Sequence, residues 1–367
     1  MPLGLEAMIP LSSSRKQEAD MESRKVYIQA AEQISIQTPL SEEWMNAPIS
    51  YEEPLVKAVN PSFRDYLAPN EARRMGNLMK RALVTSLKVL KDTGIEHPDA
   101  IITGTCLGSL DYTVRILDDL VENGEETVSP TYFMQSTHNT VGSALGIYTK
   151  THGYNTTYSH GGASFDSALL DAWMQFRLGK IKTALVGGYD EMVDSHFNLV
   201  RKVGYVGLEG MAPCSEVSMS MLLNAEKPAD ALCEMAGIRL CYRPSMEKLR
   251  RVLDELLDSA GVSLADVSAV MTGVNGNPRN DKPYRDTIEH LFPHKPLLRY
   301  KHLFGENYTV SALGAYAAAH LLKKQMIPSM MYDHDSLPVD NEFSSILLLN
   351  MVESGDCSLV LMKGVRG

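Results

Sequence analysis

The sequence predicts an α/β protein built from two similar halves. Its 367 residues are 44% hydrophobic, enough for one large unit or two fused halves, each with its own core. Short β-branched runs alternate with segments whose apolar residues recur at helical spacing. This alternation occurs twice and closes with two adjacent strands, so we expect mostly parallel sheets covered by helices.

The first half is expected over residues 23–229. It opens with a strand within residues 24–36, and a helix over residues 70–94 ends at a glycine. The elements that follow are a buried strand, a helix with acidic ends, a tightly packed helix, a central strand, a further helix and a buried strand, over residues 100–110, 110–123, 129–153, 155–159, 164–180 and 183–192.

The second half is expected over residues 230–367. Its elements are a strand, a helix, a strand with its loop, and a helix, over residues 233–243, 245–262, 266–276 and 310–325. Residues 344–363 read as two strands joined by a Gly-Asp turn, which is typical of a hairpin. The repeated order indicates an internal duplication.

Composition excludes several classes of function. A net charge of −10 and a pI near 5.5 argue against nucleic-acid binding. The five cysteines have no CxxC spacing, so neither a disulfide framework nor a zinc site is predicted, and a reducing cytoplasm is expected. The apolar patch in residues 1–22 is too weak for a signal sequence, and we expect these residues to be a disordered tail. No run is long enough to predict a membrane span.

Motifs for nucleotide or metal chemistry are missing from the sequence. There is no GxxxxGK[ST] phosphate loop and no HExxH zinc helix, and the glycine-rich turns at residues 104–108 and 187–188 do not follow GxGxxG. We therefore expect no metal and no nucleotide cofactor.

Five blocks in order resemble those of β-ketoacyl-ACP synthases, the condensing enzymes of the thiolase fold, where ACP is acyl carrier protein. The resemblance runs from about Arg24 to Lys363 and implies a layered αβαβα fold of two duplicated βαβαβαββ halves. The blocks read RKVYIQAAEQISIQTPL, ITGTCLGSL, SPTYFMQSTHNTVGSALGI, GYNTTYSHGGASFDSALLDAWMQFRLGKIKTALVGGYDEM and YKHLFGENYTVSALGAYAAAHLLKKQMIP.

The family's nucleophile is missing from this chain. In the family a cysteine sits at a strand-to-helix turn, where the helix N-terminus lowers the thiol pKa and backbone N–H groups stabilise an oxyanion. Matching the blocks places Gly162 at that position, and glycine has nothing to acylate. A displaced serine, Ser164, with His160 as its base is an alternative. We expect Ser164 to cap the following helix instead.

Both family histidines are also replaced. Gly273 or a neighbour falls at the first, and Asn275 in the same loop could hydrogen-bond a thioester carbonyl or serve a tight turn. Lys301 is retained, but Glu306 stands at the second histidine position, where an ion pair with Lys301 is expected rather than a base. The family's Gly-Phe-Gly-Gly gate is reduced to VESGDCS, residues 352–358.

Two further residues, Cys106 and His138, are of types that often act in catalysis. Cys106 follows a predicted strand, but in the family this turn is a packing element, and a lone cysteine is usually a small buried hydrophobe. His138 lies in a block that lines the dimer interface in relatives, so an interface hydrogen bond is expected there.

The resemblance implies a protein of fatty acid or polyketide biosynthesis that does not condense by itself. We expect a subunit of the chain-length-factor type, as in type II polyketide and aryl-polyene systems, which pairs with an active ketosynthase and shapes its acyl tunnel. Acyl groups would be carried on the phosphopantetheine of an ACP, which docks through the partner. The residues expected at the interface or tunnel are Tyr132, Phe133, Met134, His138 and Tyr158.

Two alternatives stay open at this stage. One is an active acyltransferase or a malonyl-ACP decarboxylase that uses a rearranged site, since decarboxylation needs an oxyanion hole but no acylated nucleophile. The other is a homodimeric acyl-binding scaffold with no condensing partner.

Overall fold

The computed structural model describes residues 24–125, 129–334, 336–340 and 342–365. The tail predicted over residues 1–22 lies outside these ranges. None of the helices in the described ranges is both long and apolar enough to cross a membrane.

The described residues contain ten strands. They are β1 Tyr27–Ile34, β2 Ala100–Gly104, β3 Tyr154–Tyr158, β4 Thr183–Asp190, β5 Val217–Asn224, β6 Cys233–Cys241, β7 Ala269–Thr272, β8 Leu297–Arg299, β9 Ser345–Met351 and β10 Cys357–Lys363.

Eleven α-helices accompany the strands in the same part of the chain. They are α1 Pro69–Ala72, α2 Asn77–Thr93, α3 Leu110–Asn123, α4 Pro130–Ser136, α5 Thr140–Thr149, α6 Ser164–Arg177, α7 Asp194–Lys202, α8 Met246–Ser259, α9 Pro278–Leu291, α10 Lys301–Phe304 and α11 Ser311–Lys324.

The strands form one mixed sheet in the order β3-β2-β4-β5-β1-β6-β10-β9-β7-β8. Parallel pairing is confined to the two ends, β3-β2-β4 and β9-β7-β8, and the central pairings are antiparallel. The expectation of mostly parallel sheets was therefore wrong. The sequence analysis overlooked β5, which runs antiparallel to both β4 and β1. Strand β10 likewise runs antiparallel to both of its neighbours, β6 and β9.

The two halves share a central helical layer. Helices α6 and α11 each contact strands of both halves, and α11 is buried from Ser311 to Leu322. Helix α2 packs on the outer side of β1 and β5, and α8 packs on β6 and β10. This arrangement confirms the predicted layered α/β fold. The strands of the sheet fall on either side of residue 229, and the domain boundary placed there stays a prediction.

Three predicted elements differ in detail. The helix expected over residues 70–94 is interrupted between Ala72 and Asn77, where the backbone of Gly76 is extended with ψ of 167°, so α1 and α2 are separate. The segment over residues 129–153 forms two helices, α4 and α5. Strand β3 was expected to be central but lies at the edge of the sheet, with its first residues exposed. Its outer edge has no neighbouring strand among the described residues.

Candidate functional site

The candidate site is built around the turn between β3 and α6. Gly161 adopts a left-handed conformation with φ of +53°, which lets the chain reverse within a few residues. At the next residue, Gly162, a β-carbon would lie 2.8 Å from Cγ1 of Val352 and 3.2 Å from its Cβ. The space beside residue 162 that a nucleophile's side chain would need is therefore filled by Val352.

Ser164 is completely buried and its hydroxyl is fully engaged. It accepts a hydrogen bond from the backbone N–H of His160 at 2.8 Å and donates one to the carbonyl oxygen of Gly161 at 2.7 Å. It is the first residue of α6 and does not cap the helix, so that expectation was wrong. The hydroxyl instead fixes the turn, because the tight reversal brings two backbone groups within its reach.

The His160 side chain is half-exposed and points to two other groups. Its Nδ1 lies 3.2 Å from the Ser167 hydroxyl, which donates to the carbonyl of Ala163. Its Nε2 lies 3.5 Å from Oδ2 of Asp356. His160 and Ser164 are thus neighbours through the backbone, and the imidazole is not hydrogen-bonded to the Ser164 hydroxyl.

The turn between β9 and β10, residues 352–356, covers the β3–α6 turn. Asn350 precedes the turn and donates from Nδ2 to the carbonyl of Gly162 at 3.3 Å. Val352, two residues later, fills the space beside Gly162. At the other end, Asp356 accepts from the Arg243 N–H at 3.2 Å and from the Ser354 hydroxyl at 2.8 Å. We call residues 352–356 the closing turn, and it occupies the segment where the sequence resemblance placed the reduced gate.

Lys301 and Glu306 form an ion pair, as expected from the sequence. The Lys301 Nζ lies 3.0 and 2.9 Å from the two Glu306 carboxylate oxygens, with side chains only 9% and 15% exposed. Burial by itself lowers the pKa of Lys301, but the Glu306 charge, Tyr284 and the Glu306 hydrogen bond together outweigh burial, and the pKa lies above its ordinary value. Lys301 therefore stays protonated.

Asn275 joins this ion pair. Its Nδ2 donates to Glu306 Oε2 at 2.5 Å, and its own backbone N–H donates to Asp281 at 2.8 Å. Its side-chain oxygen accepts from the Asn277 N–H at 2.9 Å. Asn275 thus orders the loop after β7, and its side-chain amide is bonded to Glu306; the hydrogen bond to a thioester carbonyl stays a prediction.

The space beside Gly273 is also filled. A β-carbon at Gly273 would lie 2.4 Å from the Tyr284 hydroxyl oxygen and 3.0 Å from Lys301 Cε. The Tyr284 hydroxyl accepts from the Met351 N–H and donates to the Met351 carbonyl. Burial raises the pKa of Tyr284 to about 12. Tyr284 is therefore a neutral residue that packs where a side chain at residue 273 would have stood.

A buried carboxylate stands behind the turn. Asp166, in the first turn of α6, accepts hydrogen bonds from Ser311 of α11 at 2.8 Å, Asn350 of β9 at 2.9 Å and Ser358 of β10 at 2.6 Å. Burial raises the pKa of Asp166 against these hydrogen bonds. The carboxylate ties the two halves together directly behind Gly162.

Sequence reasoning missed Val352, Tyr284 and Asp166. Asp166 carried a signal, because it is a carboxylate on the buried side of an apolar helix, and such a group needs several donors. Val352 and Tyr284 carried none, since an ordinary apolar residue and a tyrosine reveal nothing until the chain folds.

Cys106 lies beside a second buried carboxylate. Burial, with the nearby Asp190 charge second, raises the pKa of Cys106 to about 12. Asp190 accepts from the N–H groups of Cys106 and Leu107 and from the Thr105 hydroxyl. A thiol with so high a pKa is a poor nucleophile, which agrees with the packing role expected for it.

Apolar side chains are exposed around the edge strand. The expected interface residues Phe133 and Met134 are 63% and 70% exposed, His138 is exposed, and Tyr132 and Tyr158 are half-buried. Other exposed apolar residues lie on β3 itself, on α5 and α6, which pack on β3, and on α3, which packs on α4. We call the whole set the β3 face, and its members are Leu117, Val121, Phe133, Met134, Ile147, Tyr154 and Met174.

Taken together, the site offers little chemistry of its own. Lys301 is paired with Glu306, the Ser164 hydroxyl is held by two hydrogen bonds, and the spaces beside Gly162 and Gly273 are filled. No group of three or more His, Cys, Asp or Glu side chains in the described ranges is arranged to hold a metal ion.

Comparison with known proteins gives a family and a fold. The model of the β-ketoacyl synthase N-terminal domain matches residues 42–252, more than half of the chain. Among curated proteins, 3-oxoacyl-acyl-carrier-protein synthase 2 of Mycobacterium leprae is 28% identical over 137 residues, 36% of this chain and 33% of the relative. The Mycobacterium bovis protein of the same name is 28% identical over 173 residues, 46% and 38% of the two chains. The match thus spans between a third and two fifths of these relatives.

Solved structures match over nearly the whole chain. The ishigamide ketosynthase/chain length factor superposes with a TM-score of 0.79 at 17% identity, covering 94% of this chain and all of that one. A complex of a ketosynthase with its chain length factor from Xenorhabdus doucetiae gives 0.77 at 16% identity, covering 93% and 98%. At this identity the likeness shows the fold.

Proposed function

This chain belongs to the β-ketoacyl synthase family, and from that premise we propose that it is a condensation-deficient subunit of the chain-length-factor type. In this role it pairs with an active ketosynthase of fatty acid or polyketide biosynthesis and shapes the acyl tunnel at their interface. The partner's cysteine carries the acyl group, and this chain is never acylated.

The observation that carries the proposal is Gly162 packed against Val352. A lost nucleophile in an open pocket would suit an enzyme with rearranged chemistry, because substrate could still enter. Here the same position is closed by Val352 at 2.8 Å from a β-carbon, and Tyr284 closes the space beside Gly273. A side chain at either position would collide with its neighbour, which argues against a rearranged catalytic pocket at the turn.

The β3 face supports the pairing. Within the described part of the chain, strand β3 has unpaired backbone hydrogen-bonding groups along its outer edge, and apolar side chains near it are exposed. Such a surface favours association with another chain, or aggregation if no partner covers it. A second chain of the same fold could extend the sheet from β3 and cover Phe133, Met134 and Ile147. In that arrangement Tyr132 and Tyr158 stand near the shared surface.

We expect the acyl groups to arrive on the phosphopantetheine of an ACP, because the mycobacterial relatives are acyl-carrier-protein synthases by name. Carrier proteins are acidic, and this chain has a net charge of −10, so long-range repulsion disfavours direct docking here. We therefore expect the ketosynthase subunit to provide most of the ACP-binding surface.

The test is a reconstitution with a ketosynthase that retains its cysteine and both histidines and is encoded beside this chain. Each subunit alone and the mixture are incubated with acyl-ACP and malonyl-ACP, and both subunits and the ACP are followed by intact-protein mass spectrometry. We expect acylation only on the ketosynthase and an elongated ACP product only in the mixture.

Two results would overturn the proposal. An acyl adduct on this chain, or acetyl-ACP formed by this chain alone, would favour the rearranged enzyme, and replacement of His160, Ser164 or Glu306 would locate the chemistry. A homodimer that binds acyl groups and ignores the ketosynthase would favour the scaffold.

A further inference from the structure

Two free cysteines face each other across neighbouring strands. Cys241 is the last residue of β6, Cys357 is the first of β10, and their Cα atoms are register partners in the antiparallel ladder. Directly opposed residues in such a ladder have Cα atoms roughly 4.5 or 5.5 Å apart. A disulfide accommodates about 4.4 to 6.8 Å, so either spacing permits a bond without movement of the strands.

The two thiols also affect each other's pKa. The Cys357 thiol, followed by the charges of Lys248 and Arg239, lowers the pKa of Cys241 against the effect of burial. The pKa of Cys357 is raised by Cys241 and by burial. A negative charge therefore forms more readily on Cys241 than on Cys357.

The pair lies just beneath the surface. Cys241 and Cys357 are 4% and 1% exposed, but the adjoining Tyr242 is 69% exposed. Both cysteines stand at strand ends, where a ladder opens most readily. A small oxidant can therefore reach them when the ends fray, whereas a bulky reagent cannot.

We propose that Cys241 and Cys357 are a modification site at which a hydroperoxide forms a reversible intramolecular disulfide. The Cys241 thiolate attacks one peroxide oxygen, the O–O bond breaks, and Cys241 becomes a sulfenic acid while an alcohol or water leaves. Cys357 then attacks the Cys241 sulfur, the S–O bond breaks, and water leaves as the S–S bond forms. Two thiols and one hydroperoxide thus give one disulfide, one alcohol or water, and one water.

The disulfide would act on the closing turn. Cys357 directly follows Asp356, whose carboxylate is held by Arg243 and Ser354 and lies 3.5 Å from His160. A covalent link from β6 to the start of β10 fixes that end of the turn. Oxidation therefore holds Val352 over Gly162 more firmly. This inference concerns the cysteine pair alone and does not depend on the proposed function.

The test uses the purified, reduced full-length chain treated with increasing hydrogen peroxide. Remaining thiols are then alkylated after unfolding and mapped without reduction. We expect two of the five cysteines to become unreactive together, a cross-linked peptide joining Cys241 to Cys357, and recovery of both thiols with dithiothreitol. Oxidation of the exposed Met134 and Met174 reports the dose delivered.

Three variants sharpen the result. Cys357→Ser should abolish the cross-link and leave a sulfenic acid on Cys241 that dimedone traps, and Cys357→Ala replaces it if the serine variant fails to fold. Cys106→Ser, the matched control, should keep the cross-link. Hydrogen exchange of residues 352–356 should slow on oxidation of the wild type only.

The proposal is overturned if all five thiols stay alkylatable at doses that oxidise both methionines. It is equally overturned if the cross-link joins other cysteines or if it forms only between chains.

Discussion

A methyl group of Val352 stands 2.8 Å from the point where a β-carbon of residue 162 would lie. The glycine lies near the middle of the chain and the valine near its C-terminus, and the two complement each other in shape. The missing side chain and the filled space therefore form one structural unit, and restoring a thiol at residue 162 requires a change at residue 352 as well.

Restoring the cysteine alone should destabilise the protein. Gly162→Cys forces the closing turn to move, and overpacking of this kind costs about 1 to 3 kcal/mol. Chemical denaturation of Gly162→Cys, Val352→Ala and the double variant measures the coupling. We expect the double variant to recover part of the loss, with a coupling of roughly 0.5 to 3 kcal/mol.

A matched glycine separates this effect from the substitution itself. A β-carbon at Gly364 would meet only atoms 3.7 Å or more away, so Gly364→Cys should leave the unfolding free energy nearly unchanged. Equal losses for the two cysteine variants, or strict additivity with Val352→Ala, would show that Val352 does not close the turn.

Removing one partner of the Lys301–Glu306 pair should destabilise the protein more than removing both charges. Lys301→Met leaves a buried carboxylate without its cation, which costs about 3 to 5 kcal/mol. The double variant Lys301→Met/Glu306→Gln leaves no charge and keeps an acceptor for Asn275, so it should be more stable than Lys301→Met alone. Urea denaturation of the three proteins gives the comparison.

An exposed pair provides the reference for that experiment. Lys282 and Asp286 lie 2.7 Å apart with side chains 71% and 48% exposed, and Lys282→Met should change stability by less than about 1 kcal/mol. If Lys301→Met is as mild as Lys282→Met, the pair near the turn is solvated and plays no structural part.

Two adjacent carboxylates should make stability depend on pH. Burial raises the pKa of Asp190 to about 6 and of Glu191 to about 7, despite backbone hydrogen bonds to each. Because these values lie above the roughly 3.9 and 4.3 of the unfolded chain, the stabilisation is complete below about pH 4. It is lost as the pH rises through 6 and 7.

Replacement by the neutral amide should remove this slope. Relative to wild type, Glu191→Gln should gain stability between about pH 4.3 and pH 7 and then level off, and Asp190→Asn should do so between about pH 3.9 and pH 6. Denaturant titrations at fixed salt across this range provide the measurement. A constant difference between wild type and variant at every pH would mean that neither carboxyl holds a proton in the folded protein.

The β3 face should be where another chain binds. A charge placed within a covered apolar surface weakens association, and we expect Met134→Glu and Ile147→Glu to weaken assembly with the ketosynthase by at least about tenfold, or about 1.4 kcal/mol. Sedimentation velocity of the mixture measures it. Leu199→Glu on α7, 61% exposed before substitution, is the control and should have no effect. A loss confined to Leu199→Glu would move the interface to α7.

Local patterns in the sequence predicted most elements because they need only neighbours along the chain. The helix over Leu110–Asn123 and the hairpin of β9 and β10 follow directly from periodicity and turn residues. Strand β5 begins with the apolar–serine alternation of a half-buried strand and was overlooked, and the structure buries its serines as well. The edge position of β3 also escaped, since strand order depends on contacts between distant segments.

The sequence by itself determined that residue 162 has no side chain, that Lys301 faces a carboxylate at residue 306, and that the blocks of one family stand in order. Whether those changes left an open pocket or a closed one was decided only by tertiary structure. Val352 and Tyr284 fill the spaces beside Gly162 and Gly273 because the β9–β10 turn and helix α9 pack onto the site. Packing of this kind has no local pattern, since it depends on the shapes of surfaces that meet only after folding.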